Sequence, residues 1–267
     1  MPKIRLDKLL TERGLAESRE KAQRLIMAGL VLVDNTIIDK PGSQIDETSH
    51  ITLKETLKYV SRGGLKLETA LKYFNINFKD KIVIDIGAST GGFTDLCLQN
   101  GAKKVYSVDV GKNQLHEKLL KDERVINLEK TNFRHITYET INEKADIIVS
   151  DVSFISLTNI IPSIIQFCHD KSEACLLIKP QFEAGAKFVG KNGVVRDKEI
   201  HIQVINKIID FAKEYGLYTK GLVTSSIKGP KGNIEYLLYL KYNFKSEKEI
   251  TENDIRKVVY EEYCHCG

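Results

Sequence analysis

The sequence predicts an α/β domain with a mostly parallel sheet, preceded by a small α+β domain. Five short apolar runs lie between residues 82 and 178, and helical stretches separate most of them. Such runs are typical of strands buried on both faces of a parallel sheet. Their alternation with helices favours a doubly wound arrangement with right-handed crossovers. A chain of 267 residues is long enough for one large and one small domain.

The first 60 residues show their own pattern of short elements. Apolar residues at helical spacing predict one helix that ends at Gly14 and a second, over residues 19–28, that ends at Gly29. Short strands, separated by turns rich in Asp, Asn, Pro and Gly, are predicted at residues 31–33, 37–38, 45 and 51–53. We therefore expect a small domain over residues 1–60, with residues 60–66 as the link to the next domain.

The larger domain is expected over residues 61–245. Its parallel strands are predicted at residues 82–85, 104–109, 125–128, 146–149 and 174–178, with helices at residues 92–100, 112–120, 155–168 and 198–214. Residues 219–225 and 233–241 are predicted to form an antiparallel pair that closes the sheet, so the last strand is antiparallel. A polar C-terminal helix or tail, with Thr251 as its N-cap, is expected over residues 246–267.

The composition argues against several classes of protein. Hydrophobic residues make up 42% of the chain, and 40 basic residues nearly balance 36 acidic ones, unlike a disordered polyelectrolyte. The longest apolar run has nine residues, whereas a membrane span needs ~20. Five scattered cysteines do not suggest a disulfide framework, and Cys264-His265-Cys266 is too tightly spaced for a zinc site. We therefore expect a soluble, cytoplasmic protein that binds no metal.

Basic residues are concentrated on the two predicted helices of the first domain. They are Arg5, Lys8, Arg13, Arg19, Lys21 and Arg24. Together with the segments RLDKLL and KPG, these helices resemble the S-four-type (αL) RNA-binding domain first known from a small-subunit ribosomal protein. The resemblance implies that the six side chains contact RNA. Without it, the same pattern would describe a capping domain with a solvated, charged surface.

A glycine-rich turn, DIGASTGGF, follows the first strand of the larger domain. Glycines at a strand-to-helix turn let the backbone approach a ligand closely. Because position 89 is serine, the Gly-x-Gly-x-x-Gly fingerprint of dinucleotide-binding proteins is absent. Asp109 ends the second strand, where a carboxylate can accept two hydrogen bonds from a ribose diol.

The pattern Asp-x-Gly-x-x-x-Gly-Gly resembles the first motif of the S-adenosylmethionine (AdoMet)-dependent methyltransferases, which have a Rossmann-like fold. The resemblance implies that Gly87 and Gly91 flank the amino-acid end of AdoMet and that Asp109 holds its ribose. Asp85 could instead support the loop through backbone amides. The expected cofactor-binding residues are Asp85, Gly87, Ala88, Ser89, Gly91, Gly92, Phe93, Asp109, Asn132 and Phe133, the last two near the adenine.

Four charged residues lie where α/β enzymes place their reactive groups. Asp151 and Lys179 follow the fourth and fifth strands, Glu235 begins the last strand, and Lys66 precedes the first. The carboxyl ends of parallel strands face the ligand crevice, and a lysine directly after a buried strand needs carboxylate partners. A single Lys or Asp at a strand end is more often part of an ordinary salt bridge, but four such residues favour a catalytic site.

These four residues resemble the catalytic tetrad of the heat-shock-type (FtsJ-like) rRNA ribose 2′-O-methyltransferases. The segments SRGGLKLE, DIGASTGGFTD, DVSFISL, KPQFEAG and GNIEYLL extend the resemblance to the hemolysin-A-like (TlyA) rRNA methyltransferases over essentially the whole chain. The resemblance implies methylation of a ribose 2′-hydroxyl of cytidine in small- or large-subunit rRNA. Lys179 would contact the hydroxyl as a base or a cation, Asp151 would orient it, and Lys66 and Glu235 would complete the network.

Further basic residues lie in loops near the predicted site. We expect RNA phosphates to contact four of them, Arg62, Lys187, Lys228 and Lys231, although these loops could equally be solvated connections. Two aromatic residues beside the motifs, Phe93 and Phe154, are expected in the core or a pocket wall rather than stacked on a base. The expected partner is ribosomal RNA or a ribosomal subunit.

Other functions remain open from the sequence. A non-catalytic RNA-binding or ribosome assembly factor could hold AdoMet, but an intact tetrad argues against it. A cytolysin is suggested by the hemolysin name of the family, but no membrane-spanning or strongly amphipathic helix supports it. An RNA base methyltransferase lacks support because neither a cysteine beside proline nor an Asn-Pro-Pro-Tyr turn is present.

Overall fold

The computed structural model describes residues 3–27, 29–53, 58–244 and 250–264. The chain divides into two compact units, Met1–Lys58 and Tyr59–Gly267. Each unit has its own hydrophobic core. The division lies close to residue 60, where the sequence suggests a boundary.

The first unit packs two helices against short antiparallel strands. Its elements are β1 (Lys3–Arg5), α1 (Leu6–Glu12), α2 (Arg19–Met27), β2 (Val31–Val33), β3 (Thr36–Ile37), β4 (Gln44–Asp46) and β5 (Ile51–Leu53). β1 pairs with β4, and β2 lies between β3 and β5. The chain leaves both helices through glycines at φ 68°, Gly14 and Gly29, because glycine adopts this conformation without steric cost.

The second unit is built on a seven-stranded sheet. Its strands are β6 (Ile82–Ile86), β7 (Lys104–Val108), β8 (Val125–Leu128), β9 (Ile147–Ser150), β10 (Glu173–Ile178), β11 (Leu217–Thr224) and β12 (Tyr236–Tyr242). They lie in the order β11-β12-β10-β9-β6-β7-β8, and β12 alone runs opposite to the other strands of this sheet. The prediction of a mostly parallel sheet with an antiparallel last strand is therefore confirmed.

Helices cover both faces of this sheet. They are α3 (Gly63–Phe74), α4 (Gly92–Gln99), α5 (Glu117–Leu120), α6 (Tyr138–Ile141), α7 (Ile161–Ile164), α8 (Pro180–Glu183), α9 (Lys198–Glu214) and α10 (Glu252–Cys264). One core contains Leu67 of α3 and Leu96 of α4, and the other contains Ile161 of α7 and Ile205 of α9. Across the described ranges, every helix is too short or too polar to cross a membrane.

Some helices differ from their sequence predictions. α3 begins within residues 60–66, which were expected to form a link. The helix was missed because a Gly63-Gly64 start carries no helix signal in the sequence. Burial of Leu67 and Ala70 stabilises the helix in the folded protein. The helix predicted over residues 155–168 is split into α7 and two 3₁₀ turns, since Pro162 cannot continue a hydrogen-bonded helix from the preceding turn. Of residues 112–120, only Glu117–Leu120 are helical.

α10 belongs to the core of the second unit. Thr251 caps it, as predicted, by accepting a hydrogen bond from the Asp254 backbone N–H at 3.2 Å. Ile255 and Val259 are buried in the same core as α9. The predicted C-terminal helix is therefore amphipathic, with a mostly polar sequence and these apolar residues turned towards the core.

Candidate active site

The four charged residues of the predicted tetrad meet at the carboxyl edge of the parallel strands. Asp151 directly follows β9, and Lys179 directly follows β10. Glu235 precedes β12, and the antiparallel direction of that strand brings its first residues to the same edge. Lys66 comes from the first turns of α3. Four separate elements therefore supply one cluster.

The cluster is a chain of alternating charges. Lys179 Nζ lies 2.5 Å from Asp151 Oδ1, and Lys66 Nζ lies 3.3 Å from Asp151 Oδ2. Lys66 Nζ also lies 2.7 Å from Glu235 Oε2. Two ammonium groups thus face two carboxylates, and the formal charge of the network is balanced.

Three of the four charged side chains are buried, so each of them depends on its partners to neutralise its charge. Lys66 is 8% exposed, Lys179 6% and Glu235 1%. Burial alone would lower the pKa of Lys66, but the charges of Asp151 and Glu235 outweigh it and raise the pKa above its usual value. Removing one member would leave a buried charge without its partner, at a cost of about 3–5 kcal/mol.

Lys179 has a second oxygen partner that sequence reasoning missed. Its Nζ donates to Ser153 Oγ at 2.8 Å. An ammonium has three N–H donors, and among the described residues one donates to Ser153 while Asp151 Oδ1 lies 2.5 Å away as an ion-pair partner. One donor direction is left for a substrate oxygen. The signal available in the sequence was the position of Ser153, two residues after Asp151 on the same segment.

Glu235 is fixed by its surroundings on more than one side. Gln181 Nε2 donates to Glu235 Oε1 at 3.1 Å, while the other oxygen faces Lys66. A Cβ on Gly229 would overlap the Glu235 carboxylate, so a larger residue at 229 would have to displace the end of the Glu235 side chain.

The glycine-rich turn lies beside this cluster. Gly87 has φ 81°, and a Cβ at this position would lie 3.0 Å from the backbone oxygen of Asp151. Gly91 has φ 94°, and its Cβ would overlap Leu119. A Cβ on Gly92 would overlap Ser61 Oγ, and Ala88 is buried at 7% exposure. Glycine at these positions therefore lets the turn pack closely against Asp151, Leu119 and Ser61. We call this turn the glycine cradle, because proteins with a Rossmann-like fold hold the cofactor at such a strand-to-helix turn.

Asp109 closes the cradle at the end of β7. Its Oδ2 accepts from the Ser89 backbone N–H at 2.9 Å, and its Oδ1 accepts from the Gly111 backbone N–H at 2.7 Å. Carboxylate oxygens have further lone pairs, so Asp109 can still accept hydrogen bonds from a ribose diol. Val110, which sequence reasoning did not single out, is 69% exposed and offers an apolar surface next to this carboxylate.

Two of the expected cofactor residues have structural roles. Asp85 is fully buried, accepts from Thr94 Oγ1 at 2.7 Å, and its pKa is raised by burial to about 7. Phe93 is 3% exposed and packs in the core. Asp85 binds the first turn of α4 through Thr94, and Phe93 anchors the same turn in the core. The cradle itself is therefore formed by the backbone of residues 87–91.

Of the two residues expected near the adenine, Asn132 is half-buried and Phe133 is buried. Asn132 caps a short 3₁₀ turn, Phe133–His135, by accepting from the Arg134 backbone N–H at 3.2 Å. Phe133 is 3% exposed and its ring lies 5.7 Å from that of Phe167. The Phe133 ring is thus part of the core, and only its backbone can face a ligand.

Phe154 does not lie in the core, contrary to the expectation. It is 90% exposed, with φ 64°, and its ring centroid lies 4.9 Å from that of Phe182. A left-handed backbone conformation costs a non-glycine residue about 1–2 kcal/mol, so surrounding contacts must hold it. Phe154 follows Ser153 directly in the chain, and its exposed ring packs against Phe182, whose ring centroid lies 5.8 Å from Lys179 Nζ.

Most of the basic residues in the first unit are tied to neighbours. Arg5 and Arg19 both bind the buried Asp7 carboxylate, at 2.9 Å and 3.1 Å. The hydrogen bond from Arg5 is the main reason that the pKa of Asp7 lies far below its usual range. Arg13 donates to backbone oxygens of residues 47 and 49, and Lys8 lies 3.3 Å from Glu12. Lys21 and Arg24 of α2 are exposed.

The basic loop residues of the second unit lie on its surface. Arg62, Lys187, Lys228 and Lys231 are all exposed. Lys187 Nζ lies 4.7 Å from the Phe188 ring centroid, and Lys228 and Lys231 flank the loop that contacts Glu235. In the described ranges, no group of three or more His, Cys, Asp or Glu could hold a metal ion, and residues 265 and 266 of the tight cysteine motif lie outside those ranges.

Comparison with protein families identifies both parts of the chain. The FtsJ-like methyltransferase family matches residues 59–242, and the S4 domain family matches residues 4–51. The first match covers more than half of the chain and contains all four residues of the charged cluster.

Named relatives match nearly the full length. YqxC of Bacillus subtilis, named as a candidate rRNA methyltransferase, is 51% identical over 97% of this chain and 94% of its own. Hemolysin A of Brachyspira hyodysenteriae is 45% identical over 88% of this chain and 99% of its own. TlyA of Mycobacterium tuberculosis, named a 16S/23S rRNA (cytidine-2′-O)-methyltransferase, is 39% identical over 90% of each chain.

Solved structures agree with these matches. A hemolysin-named protein from Streptococcus thermophilus is 47% identical, with a TM-score of 0.78 over 100% of this chain and 98% of its own. An S-adenosylmethionine-dependent methyltransferase from Listeria monocytogenes, at 16% identity and a TM-score of 0.50 over 68% of this chain and 99% of its own, shares the fold alone. The predictions of fold and cofactor class are confirmed, and the chain belongs to the AdoMet-dependent, FtsJ-like methyltransferase family, in the TlyA and hemolysin A group with an S4 domain ahead of the methyltransferase domain.

Proposed function

We propose that the protein methylates the 2′-hydroxyl of a cytidine ribose in ribosomal RNA, with AdoMet as the methyl donor. The observation that carries this proposal is the buried Lys179–Asp151 ion pair at 2.5 Å, within a balanced four-charge cluster next to the glycine cradle. The names of the TlyA relatives support ribosomal RNA and cytidine as the substrate class. Such a substrate would place the protein in the cytoplasm.

The remaining N–H direction of Lys179 is the proposed contact for the 2′-oxygen. A ribose hydroxyl is a weak nucleophile, so negative charge must be stabilised on its oxygen as the new carbon–oxygen bond forms. A charged ammonium at hydrogen-bond distance supplies that stabilisation. Because Lys179 lies against a carboxylate, we assign it the role of a cation rather than a base, and the hydroxyl proton leaves to solvent.

The other three charged residues hold Lys179 in place. Asp151 binds it through Oδ1 and fixes the direction of the free N–H. Lys66 balances the second oxygen of Asp151 and the carboxylate of Glu235. Correct placement of two reacting groups can contribute effective molarities of ~10⁵ M or more, so these positioning contacts are expected to affect the rate strongly.

The cofactor would be held by the backbone cradle. Gly87, Ala88, Ser89 and Gly91 would surround its amino-acid end, and Asp109 would accept hydrogen bonds from its ribose. When bound, AdoMet supplies the electrophilic methyl group. The 3.0 Å approach between a Gly87 Cβ and the Asp151 backbone oxygen supports this assignment, since cradle and cluster adjoin.

RNA would be held by both units. Phe154 would stack on a base near the target ribose, and Arg62, Lys187, Lys228 and Lys231 would contact phosphates. The S4 domain, over about residues 1–60, would dock on RNA through the exposed parts of its basic side chains. The proposed partner is ribosomal RNA, free or within a subunit.

Labelled methyl transfer to ribosomal RNA tests this function. We expect Lys179→Ala to abolish transfer while AdoMet binding, measured by calorimetry, is retained. Lys241→Ala is the matched control, because Lys241 forms a 2.7 Å pair with Glu173 on the same sheet. Methylation of a 2′-hydroxyl should make the phosphodiester bond on the 3′ side of that cytidine resistant to alkaline hydrolysis. Turnover near the wild-type rate in Lys179→Ala would refute the assignment, and an inactive wild type that binds RNA would favour an assembly factor.

A further inference from the structure

Glu183 joins two segments that both reach the charged cluster. It is the last residue of α8 and is 7% exposed. Its Oε2 accepts from Ser156 Oγ at 2.5 Å, and its Oε1 accepts from the Leu157 backbone N–H at 2.7 Å. Glu183 therefore connects the helix that follows β10 with the loop that follows β9.

Each of these segments carries groups of the proposed site. The loop after β9 holds Asp151, Ser153 and Phe154, and the segment after β10 holds Lys179 and Phe182. At one end they meet through the contacts of Lys179, and in the middle through the two phenylalanine rings at 4.9 Å. The Glu183 hydrogen bonds close the far end.

Burying the Glu183 carboxylate costs free energy, although it joins the two segments. Burial raises the pKa of Glu183, because its charged form is partly removed from water. The hydrogen bonds from Ser156 and Leu157 oppose this effect, and both donors are neutral. An apolar residue could fill the same space without this cost, but it could not accept hydrogen bonds from the loop.

Phe154 needs such a restraint. Its backbone has φ 64°, a conformation that a large side chain rarely adopts, and its ring is 90% exposed. Packing in the core therefore cannot hold the residue, whereas Glu183 fixes the chain two and three residues further on, at Ser156 and Leu157.

We propose that Glu183 is a positioning residue, whose hydrogen bonds to Ser156 and Leu157 hold Phe154 and Ser153 against the Lys179 segment. The restraint on the loop follows from the contacts alone. Its effect on RNA methylation rests on the proposed function.

Two substitutions separate hydrogen bonding from charge. Glu183→Gln can still accept from the Leu157 N–H with Oε1 and can donate to Ser156 Oγ with Nε2, since a hydroxyl both donates and accepts. Glu183→Ala loses both bonds. Ser156→Ala removes the bond to Glu183 Oε2, together with the contacts of Ser156 Oγ to the Thr158 backbone N–H and hydroxyl, and leaves Glu183 in place. It therefore remains informative if Glu183→Ala folds poorly.

The first readout is independent of methylation. The chain contains no tryptophan, so Phe154→Trp introduces a single tryptophan at the position of the exposed ring, and its fluorescence can be excited selectively. In this background, we expect Glu183→Ala to increase the amplitude of fast local motion in time-resolved anisotropy about twofold, and Glu183→Gln to restore it. Glu143→Ala is the control, because that carboxylate binds Lys104 and Tyr106 elsewhere on the sheet. Unchanged anisotropy in both Glu183→Ala and Ser156→Ala would overturn the proposal.

The second readout is the rate of methyl transfer with Phe154 intact. We expect Glu183→Ala to lower kcat/KM for RNA about tenfold or more, with AdoMet affinity unchanged and activity recovered in Glu183→Gln. A loss in Glu183→Gln equal to that in Glu183→Ala would mean that charge, not the hydrogen bonds, matters, and it would overturn the assigned role. If wild-type protein transfers no methyl group, the proposed function fails, and the anisotropy experiment still decides the restraint.

Discussion

Gly87 of the glycine cradle packs against the backbone of Asp151, the residue that forms an ion pair with Lys179. A Cβ on Gly87 would lie 3.0 Å from the Asp151 carbonyl oxygen and 3.2 Å from the Val152 Cα. The turn after β6 and the loop after β9 are therefore in contact beside the charged cluster. Any side chain at residue 87 must displace one of them.

Gly87→Ala is expected to weaken AdoMet binding at least tenfold, because the new methyl group pushes the cradle away from the Asp151 loop. Gly185→Ala is the matched control. Gly185 also has positive φ, 83°, but within the described ranges a Cβ there would meet nothing closer than 4 Å. Each change should cost about 1 kcal/mol of stability through backbone conformation alone. Calorimetric titration with AdoMet and thermal unfolding check both parts, and equal AdoMet affinity in the two variants would contradict the prediction.

Ser153→Ala is expected to lower kcat about tenfold while AdoMet affinity stays unchanged, because Lys179 loses one of the two oxygens that direct its Nζ. Ser163→Ala is a suitable control, since its hydroxyl donates to the Arg134 backbone oxygen at the surface. Single-turnover methylation with saturating RNA measures the effect on the chemical step. A normal single-turnover rate would show that Asp151 alone is sufficient to orient the lysine.

Phe154→Ala is expected to weaken RNA binding by about 1–3 kcal/mol, the range for loss of one base-stacking aromatic side chain. Phe154→Tyr should retain most of the affinity, because it keeps a flat ring. Tyr73→Ala removes an aromatic side chain that is 69% exposed on the same unit and serves as the control. Fluorescence polarisation with labelled rRNA fragments measures the affinities. Equal binding by Phe154→Ala and wild type would exclude the stacking role.

Replacing Lys21 and Arg24 together with alanine is expected to weaken RNA binding. It should also make the negative slope of log affinity against log salt less steep by about 2, since two phosphate contacts are lost. AdoMet binding should not change. Lys40→Ala removes an exposed lysine of the same unit that is not among the predicted contacts. Titrations at several salt concentrations measure the slope, which the control should leave at the wild-type value.

Asp85→Asn is expected to stabilise the protein at neutral and higher pH. Burial raises the pKa of Asp85 to about 7, above the ~3.9 of an unfolded aspartate. The neutral carboxyl therefore contributes stability in full below about pH 4, and this contribution is lost as the pH rises to about 7. Asparagine mimics the neutral form at every pH.

The advantage of Asp85→Asn over wild type should accordingly grow from near zero at pH 4 to about 2–4 kcal/mol at pH 8. Urea unfolding at a series of pH values measures the difference. If the free energies of unfolding of the two proteins changed in parallel with pH, burial would not raise the pKa of Asp85, and the prediction would be wrong.

The chemistry-bearing residues could be identified in the sequence because they interrupt apolar runs. Lys179 follows a buried strand directly, and Asp151 and Glu235 stand at strand ends. The mostly parallel sheet and its one antiparallel strand also followed from the pattern of short apolar runs. α3 was not predicted, because its Gly-Gly start hides a helix that depends on tertiary packing.

Only the tertiary structure decided how these residues act on one another. Lys66 and Asp151 are 85 residues apart in sequence, and their pairing depends on where α3 packs against the sheet. The exposed Phe154 ring, the contact of Ser153 with Lys179 and the Glu183 hydrogen bonds likewise depend on two loops meeting in space. Local residue type determines which groups are available, whereas burial and distance, which determine how strongly charges interact, arise only when the chain is folded.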